Sequence, residues 1–165
     1  MALRFAKVAL VAALALYYTL VVFNNLTDYD SNFQFVRHVL MMDSTFPGNG
    51  GMWRALNQPA WHTLFYVVII LWEAATAVLC GWGAARLARA WRGAADGFNR
   101  SKNLAIAGLT LAMLMWLVAF LVVGSEWFLM WQSKTWNGRE PAFHMFIVTG
   151  IVLLFVAQRD REDGP

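Results

Sequence analysis

WHTLFYVVIILWEAATAVLCGWGAA, residues 61–85, is the stretch that decides the fold. Glu73 is its one carboxylate and His62 its one imidazole, and apolar side chains fill most of what is left. A bilayer core of about 30 Å takes roughly 17–25 helical residues, a length this run meets. Three similar runs, at about 5–24, 103–124 and 142–157, repeat the pattern once their flanks are included. Backbone groups in lipid must find partners inside the protein, which leaves helices or a closed barrel. Barrel strands alternate over about 10 residues, and these runs are longer and continuously apolar. The expected fold is all-α: four transmembrane helices in an antiparallel bundle.

Four spans consume most of a chain of 165 residues that is 59% hydrophobic, so one domain, 1–165, is expected. The loop 25–60 is the longest remaining piece, and it is too short to bury a core of its own. Nothing suggests a separate soluble enzyme domain. The net charge of +3 is a topology signal and not a nucleic-acid signal. Arg4, Lys7, Arg86, Arg89, Arg92, Arg100, Lys102, Arg159 and Arg161 fall on one side; Arg37, Arg54, Lys134 and Arg139 fall on the other. The positive-inside rule then puts both termini and loop 86–102 in the cytoplasm, with loops 25–60 and 125–141 outside. Contact with anionic headgroups is the corollary.

The first run is expected to stay as a span, because its only Ala-x-Ala, at 13–15, lies inside the apolar stretch. Cys80 has no second cysteine to pair with and reads as a small buried residue. In the outer loop, Phe33, Val36, Leu40 and Phe35, Val39, Met42 recur at helical spacing. They predict a short amphipathic helix over 32–42, capping the outer face or lying on the leaflet. A Trp-rich segment, 126–138, is expected to complete the cap. Pro59 suits the first turn of the second span, and the charged tail 158–165 is expected to be disordered.

Three constellations are candidates for chemistry. Glu73 falls near the middle of its run, where a carboxylate costs about 2.5–3.5 kcal/mol and must face the bundle interior. It is expected to sit neutral and to bond to Thr110, Thr149, Tyr17 or Tyr18. It reads either as polar glue between helices or as a proton or cation site. His38, His62 and His144 all fall on the outer side, and His62 and His144 open spans that run the same way. With Glu126 or Asp43 they could ligate a haem iron or a transition metal, or meet a quinone headgroup; the bland reading is interfacial anchoring. Glu126, Trp127, Trp131 and Asn137 form the third set, a segment folded back into the interface or a groove for a lipid, an isoprenoid or a partner helix. Asn137-Gly138 supplies its turn. Most tryptophans read as an aromatic belt. There is no Gly-x-Ser-x-Gly, no Cys/His pair, no phosphate loop and no CxxC.

Taken together, certain residues resemble one family. They are Asn24-Asn25 with Asp28-Tyr29, the run from Phe35 through His38 to Asp43, and Arg54 through Pro59 and His62 to Glu73. The most specific is the run Glu126-Trp127 through Met130, Trp131, Gln132, Ser133 and Trp136 to Asn137-Gly138. The chain is similar to the bacterial family described as predicted small integral membrane protein, a domain of unknown function, over nearly its whole length. Ser125 stands where the pattern calls for glycine. The resemblance implies a bacterial inner-membrane setting and supplies no activity and no functional residues. The reading this supports is a non-catalytic accessory, lipid-binding or partner-binding membrane protein. Its expected partners are the bilayer and either another membrane protein or a second copy of the chain. The competing readings are a haem, metal or quinone site built from His38, His62, His144 and Glu126, and a small transporter using Glu73. No cofactor is specified.

Overall fold

The computed structural model describes residues 1–161, which are mostly helical and contain no strand. Helix α1 covers Ala2–Thr27, α2 Tyr29–Met41, α3 Pro59–Ala90, α4 Ala95–Ser101 and α5 Asn103–Leu114. From α5 the chain passes directly into a π-helical segment, Met115–Trp127, and α6 covers Arg139–Ala157. Among the described residues, four helical stretches are long and apolar enough to cross a membrane: α1, α3, the run Ala95–Trp127, and α6. In none of them is more than 28% of the most apolar window buried. Leu16, Leu71, Val78 and Leu154 instead point outward. So much exposed apolar surface is untenable in water and is what a lipid-facing surface requires. The chain is an all-α integral membrane protein.

Two interfaces organise the bundle. Along α1 and α3, Arg4 reaches the carbonyls of Trp91 and Gly93, Ala15 faces Gly81, and Asn25 meets Glu73. Contacts therefore descend along α3 as they ascend along α1. Between α3 and α5 the backbones come close. A Cβ on Gly83 would lie 2.6 Å from the Ala105 backbone, and one on Gly108 would lie 2.7 Å from Cys80 Sγ. Small residues at such points let helices associate in lipid, where dispersion and not water exclusion drives packing.

Helix α3 has 32 residues, about 48 Å, well over a hydrocarbon core of about 30 Å. Its middle meets the end of α1, so its N-terminal portion continues past α1. There α2 packs on it, with the rings of Tyr29 and Phe33 set 4.7 and 5.9 Å from that of Tyr66. The indole of Trp72 donates to the Leu111 carbonyl at 3.0 Å, on the last turn of α5 before the helix widens. A side chain competing for a ladder carbonyl is a recognised cause of helix distortion. The widened segment ends with the Phe128 N–H on the Val123 carbonyl, five residues back.

The segments 42–56 and 128–138 pack against each other through Ser44–Ser133, Arg54 to the Trp127 carbonyl, and Phe46–Trp131. Met42 and Leu129 take left-handed backbone angles there, φ 55° and 54°, and burial in a shared apolar cluster holds them.

Two expectations are corrected, the start of the amphipathic helix and the disorder of the tail, and the partly helical start expected for 86–102 is extended. The amphipathic helix begins at Tyr29, not 32, with Asp28 alone joining it to α1. Most of 86–102 is helical, because alanine and arginine continue α3 to Ala90 and α4 begins at Ala95. The start of the charged tail is ordered. The Asp160 carboxylate is buried at 2.6 Å from Lys7 Nζ and 2.5 Å from Lys102 Nζ, with Arg4 Nε at 3.9 Å. Residues 162–165, the remainder of that expectation, lie outside the described residues.

Candidate functional site

The residues that meet at Glu73 come from three helices. Asn25, near the end of α1, donates its amide to Glu73 Oε2 at 2.6 Å, and both side chains are buried. Asn32, in the first turns of α2, donates to Asn25 Oδ1 at 2.6 Å. The Tyr66 hydroxyl, two turns before Glu73 on α3, lies 3.3 Å from the same oxygen. One carboxamide thus serves as donor to the carboxyl and acceptor for two other groups, which uses most of its capacity. The expected partners Thr110, Thr149, Tyr17 and Tyr18 do not fill this role. The pairing with Asn25 sets Glu73 level with the end of α1 and not with its middle. Among the described residues, no lysine, arginine or histidine lines the cavity at this cluster.

This cluster lines a cavity of about 250 Å³, together with apolar residues that include Val21 and Trp116. A second cavity, of about 190 Å³, adjoins it between α2, α3 and the π-helical segment. Its lining is almost wholly apolar and includes Val39, Phe65, Trp72, Val123 and Met130. Phe35, Val36, Ile69 and Phe120 line both, so the two lie on either side of one shared wall. Val68 and Val118, which also border the apolar cavity, are exposed, and so it opens sideways, towards where lipid would lie. The π-helical segment supplies five of its wall positions, from Val118 to Gly124. Such segments are rare and recur at functional sites. Together the volumes fall in the lower part of the roughly 300–1,000 Å³ of small-molecule sites.

The remaining candidates lie elsewhere and apart from one another. His38 Nδ1 is 2.6 Å from Asp43 Oδ2, and its ring stacks on Trp136 with centroids 4.6 Å apart. His62 is buried and donates Nε2–H to the Leu56 carbonyl at 2.7 Å. His144 is exposed near the start of α6. Among the described residues no three His, Cys, Asp or Glu side chains gather as a metal set. Glu126 is exposed, and its carboxylate accepts the Ser125 hydroxyl at 3.5 Å. Trp127 packs edge-on to Trp53, Trp131 edge-on to Phe46, and all four rings are exposed. Arg54 lies over both Trp53 and Trp127. Asn137 Oδ1 accepts the Arg139 N–H at 3.1 Å, the turn that admits α6.

A second buried polar centre lies at the other end of the bundle. Lys7, Lys102 and Arg4 converge on Asp160, and both lysines also donate to the Gln158 carbonyl. Asn99 clamps the Asp160 backbone from both sides, donating to its carbonyl and accepting its N–H at 2.9 Å each. Burial alone would raise the Asp160 carboxyl, but the hydrogen bonds and charges of Lys102 and Lys7 outweigh it and hold it below its ordinary value.

Sequence reading missed Asn25, Asn32, Tyr66 and Asp160. For Asn25 a signal existed: an amide placed before the end of an apolar helix needs a partner, as does a carboxyl inside an apolar run.

The family model described as predicted small integral membrane protein matches residues 3–159, and the chain belongs to that family. No curated protein and no solved structure matches it.

Proposed function

We propose that this small integral membrane protein binds a membrane amphiphile, taken up sideways from the bilayer, with its chain in the apolar cavity and its head against the Glu73–Asn25 cluster. One observation carries the reading: an almost wholly apolar cavity adjoins a more polar one, and only the side chains of Phe35, Val36, Ile69 and Phe120 form the wall they share. An apolar enclosure with a few convergent polar groups is the usual form of a small-molecule site. Polar groups at depth in a membrane protein mark function more often than chance placement would. The role is binding, not catalysis, since the cluster offers no nucleophile beside a base.

The orientation proposed is an inner membrane with both termini cytoplasmic. The nine-to-four bias of basic residues supports it, as does the gathering of Arg4, Lys7 and Lys102 at one end. The cavities would then open towards the outer leaflet.

The test is a native mass spectrum of the full chain released from mild detergent. The expected result is a reproducible added mass in the lipid range, lost when Ala119→Phe fills the apolar cavity. A bare chain that binds no added amphiphile would end the proposal.

A further inference from the structure

We infer that the ligand's head donates hydrogen bonds and carries no negative charge: the site selects hydroxyl- or amine-headed amphiphiles and rejects phosphate- or carboxylate-headed ones. The inference rests on the amphiphile reading above and adds the chemistry of the head.

It follows from what the polar cavity offers and what it lacks. Glu73 Oε2 is engaged by Asn25, while the carboxyl as a whole lines the cavity. Asn25 Oδ1 already receives one amide hydrogen of Asn32 and the Tyr66 hydroxyl hydrogen, so most of the donor capacity beside the carboxyl is committed to the protein. The dominant group left to meet a ligand is therefore an acceptor. A hydroxyl or an amine satisfies it, and an amine, the stronger base, also takes the proton of a neutral Glu73 and pairs with the carboxylate that results. An anionic head meets the opposite situation. Among the described residues neither cavity is lined by a lysine, an arginine or a histidine, and the buried lysines Lys7 and Lys102 are committed to Asp160 at the far end of the bundle. Burying an anion without a cation or a set of donors is heavily unfavourable. Two-chain phospholipids are disfavoured twice over, by their phosphate and by the small size of the apolar cavity.

The experiment uses three probes of one chain length, hexadecanol, hexadecylamine and hexadecyl phosphate, each added in trace amounts to the detergent-solubilised full chain. Binding is read by native mass spectrometry. Wild type is expected to retain the alcohol and the amine about ten-fold or more tightly than the phosphate. Glu73→Gln is expected to weaken the amine about ten-fold relative to the alcohol, because the charge-assisted bond is lost while a neutral acceptor remains. Ala119→Phe is expected to weaken all three alike. Phosphate binding as tight as the alcohol would overturn the head selectivity and leave the amphiphile reading standing. Amine binding unchanged in Glu73→Gln would overturn the part given to Glu73. Failure of wild type to bind any probe would remove both readings. The wild-type comparison stands by itself if a variant does not fold.

Discussion

Asn25 and Glu73, 48 positions apart in sequence, share a buried hydrogen bond of 2.6 Å that ties the end of α1 to the middle of α3. Removing one member strands the other. Asn25→Ala leaves Glu73 without its donor, and Asn32 and Tyr66 without their acceptor. The expected cost is about 2–3 kcal/mol in unfolding from mixed micelles. The double variant Asn25→Ala/Glu73→Leu is expected to recover part of that loss, since no carboxyl is then left unsatisfied. Simple additivity of the two single changes would show that the bond carries no coupling.

Asp160 neutralises a knot of three cations, so Asp160→Asn leaves Arg4, Lys7 and Lys102 without a carboxylate among the described residues. Loss of one partner of a buried pair costs about 3–5 kcal/mol. The folded carboxyl sits below its ordinary value of 3.8, so its contribution is fully present above that value and is lost as pH falls through the folded value beneath it. Thermal melts of both proteins across an acid series check this. The gap is expected to be constant near neutrality and to close only below 3.8. A gap that closes around neutrality would assign the effect to another group.

Gly108→Ala is expected to destabilise the α3–α5 contact by about 1–3 kcal/mol, the usual cost of overpacking. The new methyl would meet both Cys80 Sγ, at 2.7 Å, and the Cys80 backbone nitrogen, at 2.8 Å. Cys80→Ala removes the first obstacle and not the second. A second-site Cys80→Ala should therefore rescue little, and full rescue in a denaturation series would show that the backbones have room to part.

Replacing His62 with Ala is expected to cost about 1–2 kcal/mol, because it strips the Leu56 carbonyl of its donor. His144→Ala, at an exposed site, should cost almost nothing. Neither change is expected to alter the visible spectrum of purified protein or its bound mass. Loss of a coloured or metal component in either variant would restore the histidine reading.

The spans were legible because length and apolarity are one-body properties of a segment, and the run around Glu73 shows both. The short amphipathic helix was legible from Val36, Val39 and Leu40, whose spacing sets the face that packs inward. Its start was not, because Tyr29 is recruited by a ring contact with Tyr66, far away in sequence. Glu73 stood out as a carboxyl in an apolar run, yet its partner did not. Depth counted along α3 placed it at the midplane, while α3 overruns α1, so Asn25 arrives at its level. The outer histidines were grouped because they share a side. Sharing a side is a weak constraint, and His38 and His62 each find a nearer partner, in Asp43 and the Leu56 carbonyl. The tail reads as disordered from its charge alone, which takes no account of two lysines already buried and in need of a counterion.

The overrun of α3 past α1 makes the bundle unequal from top to bottom. One half is tied by ions around Asp160, and the other holds the cavities and their sideways opening. Biological monolayers differ in composition, so a site that opens on one of them samples that monolayer alone. Reconstituted in vesicles whose two faces are given different amphiphiles, the protein would fill according to the direction of its insertion and not the average make-up of the membrane.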